Sequence, residues 1–147
     1  MSHFTLQFGG AGPILNAFLG VSAARRAALE AAGQPVPSYV GFRALVDTGA
    51  SCSCVDPSVI AKLGITPTGT MPVHTPSTGG TPHVLNQYDV SLIIPGPLNA
   101  APHIVNTLPI SETHLLAQGI EALLGRDILK DCLLTYNGPM GLYTLAF

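Results

Sequence analysis

One stretch, Ala44-Leu45-Val46-Asp47-Thr48-Gly49-Ala50-Ser51, constrains this chain more than any other. It sets a carboxylate at the end of an apolar strand and follows it at once with a hydroxyl, a glycine and two small residues. A charged Asp beside a buried strand is costly unless hydrogen bonds compensate it. The residues that follow can supply them. Thr48 brings a hydroxyl, and Gly49 lets a backbone N–H approach the carboxylate without a Cβ in the way. The chain is therefore built to present an acid, and whatever it folds into must end a strand at Asp47.

Composition narrows the fold. Sixteen Gly and 13 Pro against only 10% charged residues suit turn-rich β structure better than a helix bundle. At 147 residues one domain, 1–147, is expected, long enough to bury a core. The formal charge is −2 and no basic stripe exists, which argues against nucleic-acid and membrane-surface roles. No apolar run reaches the roughly 20 residues of a membrane span. So little charge also leaves apolar surface to cover, and a partner subunit is the expected cover. Cys52, Cys54 and Cys132 are an odd set with no disulfide framework. Cys52-x-Cys54 lacks a second ligand pair, and His3, His74, His83, His103 and His114 are scattered, so neither metal nor cofactor is expected. Met1–Thr5 has no basic segment leading into an apolar one, and with reduced thiols a cytoplasmic protein is expected.

Along the chain, Phe4–Phe8 alternates as a strand, the glycines before Pro13 break it, and Ile14–Val21 is a second strand. Ser22 caps a helix over Ala23–Ala32 that Gly33 stops, with Arg26 and Glu30 spaced as a solvated i,i+4 pair. Val40, Phe42, Ala44 and Val46 share the inner face of the strand that delivers Asp47. Asp56-Pro57 opens a short helix closed by Gly64. Met71–His74 and Val84–Ile94 form a hairpin, spanning about 70–94, with a flexible tip over Pro76–Thr81. His103–Leu108 is a strand, Ser111 caps a brief helix through Gln118, and Ile120–Leu124 is an apolar segment ending at Gly125. Arg126–Asp131 is helical, and Leu133–Phe147 is a hairpin turning at Asn137-Gly138-Pro139. Many short strands with Gly/Pro turns imply a closed or folded-over sheet.

Four segments in order make the chain resemble the retroviral-type, or retropepsin-like, aspartic proteases: Ala44–Ser51, the Gly79-Gly80 tip leading into Asn86-Gln87-Tyr88-Asp89, Leu123-Leu124-Gly125-Arg126-Asp127-Ile128-Leu129, and the closing strand Leu142–Phe147. The resemblance implies an all-β fold with a few short helices, a closed barrel with a flap hairpin, and a C2 homodimer. It implies an aspartic endopeptidase acting on extended peptides, with two carboxylates about 3 Å apart that share one proton because both cannot ionise. The chain holds a single Asp-Thr-Gly, so a second copy of Asp47 would complete the pair. By the same resemblance Asp47, Thr48 and Gly49 are the catalytic loop, with the Thr48 hydroxyl bonding across the two-fold axis. Ala50, Ser51, Thr78, Gly79 and Gly80 contact substrate, and Gly125, Arg126 and Asp127 support the loop.

The sequence departs from the retroviral pattern at Ser51, where an Asp pairs with the Arg of the Gly-Arg segment in the viral enzymes. Arg126 must find another acceptor: Asp56, Asp127 or a carbonyl. Ala23–Gly33 and Ser111–Gly119 read as insertions, which suits a bacterial or phage relative. The alternative is a weakly active or inactive dimerising, peptide-binding module of the same fold. A phosphate loop of the sugar-kinase kind needs a longer chain and a second nucleotide motif, and the sequence has neither.

Overall fold

The computed structural model describes Met1–Phe147, and its architecture follows the alternation in the sequence. Strand β1 is His3–Gln7, and β2 (Ile14–Val21) follows. In β2 the side chains of Leu15, Ala17, Leu19 and Val21 are buried. Helix α1 spans Ala23–Ala31, where the Arg25 N–H donates to Ser22 Oγ at 3.3 Å and Gly33 takes a φ of +62° beyond the end. Arg26 does not pair with Glu30; its guanidinium lies over the Tyr39 ring, 5.3 Å from the centroid. An aromatic face in reach holds the arginine better than a solvated carboxylate one helical turn away. Strand β3 is Val40–Val46, and Phe42, Ala44 and Val46 point inward. A two-residue strand, β4 (Cys54–Val55), leads into α2 (Pro57–Leu63), which starts on the Asp56 cap and stops at Gly64 with φ +69°.

Strand β5 (Gly69–Val73) and the long β6 (His83–Ile94) form a hairpin, and β7 (His103–Glu112) returns along β6. One 3-10 turn over Leu116–Gln118 precedes β8 (Ala122–Leu124), α3 (Arg126–Leu129), β9 (Leu133–Asn137) and β10 (Leu142–Ala146). Ser111 caps no helix. It is the penultimate residue of β7, opposite Gln87 on one side and Cys54 on the other. The two pairings hold its backbone extended, so the strand runs on to Glu112 and only a single helical turn follows.

Strands β2-β3-β8-β4-β7-β6 are neighbours in that order, and β6 also pairs with β2, which closes a six-stranded barrel with β5 outside it. A second, antiparallel sheet has the order β1-β10-β9. It packs against the barrel through buried Tyr143 and Leu145, which belong to the same core of 22 residues as the barrel interior. Burial pushes the Tyr143 phenol up to about 12, and its hydroxyl donates to the Ile14 carbonyl at 2.7 Å. A buried hydroxyl needs that partner. The expectation of a mostly β chain with a closed barrel holds. No helix is long and apolar enough to cross a membrane.

Candidate active site

Asp47 is placed by parallel pairing. β3 and β8 run side by side with Val46 opposite Leu124, and the Asp47 N–H donates to the Leu124 carbonyl at 2.9 Å. The two strands therefore end together, one at Asp47 and the other at Gly125. Past the strand the chain turns, and the Ala50 N–H reaches the Asp47 carbonyl at 3.3 Å. The Gly49 N–H donates to Asp47 Oδ1 at 2.8 Å, the bond the sequence suggests. A Cβ at Gly49 would lie 3.1 Å from that same oxygen, so glycine keeps the carboxylate uncrowded. Asp47 is half-buried, Thr48 and Ser51 are exposed, and the Thr48 hydroxyl has no partner within the chain.

The Gly125-Arg126-Asp127 segment grips this loop from beneath. A Cβ on Gly125 would sit 2.8 Å from the Cys52 carbonyl carbon and 3.0 Å from the Ala50 oxygen, so the two backbones cross where only glycine fits. The Arg126 N–H donates to the Ala50 carbonyl at 2.9 Å. Its Nη1 donates to the carbonyls of Thr48, at 2.8 Å, and Gly49, at 3.3 Å. Of the acceptors open to Arg126, backbone carbonyls are the ones used, and it forms no ion pair with Asp127. Asp127 instead takes both donors of Ser53, Oγ at 2.7 Å and N–H at 2.8 Å, and the Ile128 N–H at 3.0 Å.

Ser53 is the residue that sequence reasoning missed. It is buried, and its Oγ also accepts the Gly125 N–H at 3.0 Å, so one hydroxyl joins the loop to both residues that flank Arg126. Its signal was faint: a second serine in Ser51-Cys52-Ser53-Cys54, two residues past the position where the viral pattern places its Asp. Asp56, expected as a helix cap and as one acceptor open to Arg126, serves the cap but takes no bond from Arg126. Besides the Ser58 N–H at 2.9 Å, it accepts the N–H groups of Leu115 and Leu116 at 2.8 and 3.2 Å.

Thr78, Gly79 and Gly80 lie apart from the loop in sequence, at the tip of the β5–β6 hairpin. The Thr78 Oγ1 donates to the Thr75 carbonyl at 2.8 Å and accepts the Thr75 N–H at 3.1 Å, which closes the tip turn. Gly79 then takes φ +59°, and Gly80 has open space where a side chain would be. No other carboxyl of the chain is hydrogen-bonded to Asp47. Asp56, Asp89, Glu112, Glu121 and Asp127 each accept hydrogen bonds elsewhere, Glu30 lies on α1, and Asp131 follows α3. One acid held by an adjacent amide, on a loop locked from below, can polarise a bound water or carbonyl but cannot by itself both accept and donate the proton.

Comparison with known proteins agrees with this geometry. The aspartyl protease family matches residues 27–128, more than half of the chain. The chain belongs to that family. Among solved structures it is similar to a retropepsin-like aspartic protease from Rickettsia conorii, with a TM-score of 0.59 and 16% identity over 99% of this chain and 91% of that one. At that identity the likeness establishes the fold, which is retropepsin-like. A search of curated proteins returned no match.

Proposed function

We propose that this protein is a homodimeric aspartic endopeptidase in which the Asp47 carboxylates of two copies share one proton and hydrolyse peptide bonds. One carboxylate takes a proton from water as it attacks the scissile carbonyl carbon. The other gives its proton to the carbonyl oxygen, and the tetrahedral species then collapses with the proton passed to the leaving amine. The observation that carries the reading is a lone, amide-tethered Asp47 on a locked loop, with no other carboxyl of the chain hydrogen-bonded to it. The exposed Thr48 hydroxyl, free within the chain, suits a bond across the two-fold axis. Exposed Leu6, Leu133, Tyr136 and Met140 on and beside the three-stranded sheet suit burial by a second copy. Ala50 and Ser51 would line the peptide, and the β5–β6 hairpin would close over it as a flap with the small residues Gly79 and Gly80 at its tip. An extended peptide would lie in the cleft as an added strand.

The test is cleavage of a mixed peptide library by purified protein between about pH 4 and pH 7, the range in which a carboxyl pair holds a single proton. Cleavage that disappears in Asp47→Asn supports the reading. Saturable peptide binding without cleavage by the wild-type protein would reduce it to a peptide-binding module.

A further inference from the structure

A cavity of about 440 Å³ lies on the far side of the hairpin from its tip, between α1, the Pro35–Pro37 segment, the turn after α2 and the root of β6. Its size falls in the range of small-molecule sites, about 300–1,000 Å³. Buried Val21 and Leu29, with Ile65, give it an apolar floor, and Pro35 and Pro37 form a stiff wall. Two charged residues line it, Arg25 from α1 and Asp89 from β6. They do not pair with each other, since the chain's one ion pair is Lys62–Glu121 at 3.7 Å. The Arg25 guanidinium has no hydrogen-bond partner, and Asp89 has only the Gln87 amide, at a long 3.5 Å.

Opposite charges that share a cavity without meeting are completed best by an occupant with charges of both signs. A carboxylate answers Arg25 with charge-assisted bonds, and an ammonium answers Asp89. We propose that this cavity binds a small zwitterion of the amino-acid or dipeptide class, with its carboxylate on Arg25, its ammonium on Asp89 and an aliphatic side chain on the Val21–Leu29–Ile65 floor. Such molecules are end products of peptide breakdown. Thr68, which also lines the cavity, donates its N–H to the Gln87 carbonyl at 2.8 Å, so the occupant sits at the root of the hairpin. The site uses no residue of the Asp47 loop and does not depend on peptidase activity.

The experiment titrates the Asp47→Asn chain, which cannot consume the probe, with the dipeptide alanyl-leucine, and follows amide chemical shifts. Saturable binding with a Kd of about 1 mM or tighter is expected. Blocking the amine by acetylation, or the carboxylate as an amide, should weaken it about tenfold or more, the cost of one unanswered charge-assisted bond. Arg25→Gln should abolish the discrimination against the amide, and Asp89→Asn that against the acetylated form. Either variant losing only its own discrimination supports the assignment and shows that the chain is still folded. Absence of saturation, or equal affinity for blocked and free dipeptide, overturns it. A failed peptide-cleavage assay leaves it untouched.

Discussion

At the scale of single residues, Asp56 shows how an interior charge is kept. Burial pushes its carboxyl up, but the N–H groups of Leu115, Ser58 and Leu116 outweigh that and hold it at about 2, below the ordinary 3.8. Because the folded form binds the proton less readily than the unfolded chain, the charge stabilises the fold fully above pH 4. That stabilisation is lost as pH falls towards 2. At 1.36 kcal/mol per pKa unit the difference is worth about 2 kcal/mol. Asp56→Asn should therefore lower stability at pH 7 by about 2 kcal/mol, with the gap to wild type narrowing towards pH 2. Urea unfolding across that range measures it, and a constant gap would contradict the linkage. Gly125 is a steric case. Gly125→Ala drives a methyl into the Cys52 backbone and should cost about 1–3 kcal/mol while displacing the Asp47 loop. Activity per folded molecule should then fall even at temperatures where the circular dichroism is native.

At the scale of elements, the loop after β3 is fastened to α3 by Ser53 and Arg126, and the two fastenings do different work. Ser53→Ala leaves the buried Gly125 N–H without an acceptor and removes one donor from Asp127, so about 1–3 kcal/mol of stability should be lost. A double-mutant cycle with Asp127→Asn should show coupling, since the two side chains share a 2.7 Å bond. Arg126 is exposed and grips only carbonyls, so Arg126→Gln should barely move the melting temperature yet lower kcat by loosening the loop around Asp47. Equal losses of stability in both variants would refute that division. The elements themselves were legible where local chemistry decides them. Ser22, Asp56-Pro57, Gly33 and Gly64 marked α1 and α2, and alternation marked β1 and β3. β4 was not legible because two residues carry no period; only pairing with β7 and β8 makes them a strand. Ser111 misled for the same reason, since a residue that caps helices well also sits well in a strand paired on both sides. In the candidate site, the Asp47–Gly49 bond joins near neighbours in sequence and was readable. Ser53–Asp127 spans 74 positions, and only the fold brings the two together.

At the scale of the whole molecule, a closed barrel with one presented acid sets a concentration dependence. If two Asp47 side chains make the catalytic pair, the working species is a dimer, and below its dissociation constant the rate should scale with the square of chain concentration. Thr48→Ala removes the hydroxyl that has no partner within the chain. It should shift that dependence to higher concentration, with a matching shift in sedimentation. A sharper consequence separates shared from self-sufficient sites. An Asp47→Asn chain keeps the barrel, the exposed apolar residues of the terminal sheet and Thr48, so it should still associate with wild-type chains. Every mixed dimer then holds one carboxylate and one amide, which cannot pass a single proton between two acids. Excess Asp47→Asn protein should therefore inhibit wild-type enzyme in trans, more strongly as subunits exchange, whereas an unrelated protein at the same concentration should not. If each chain were sufficient alone, the added variant would leave the rate unchanged, and a single mixing experiment read by peptide cleavage tells the two cases apart.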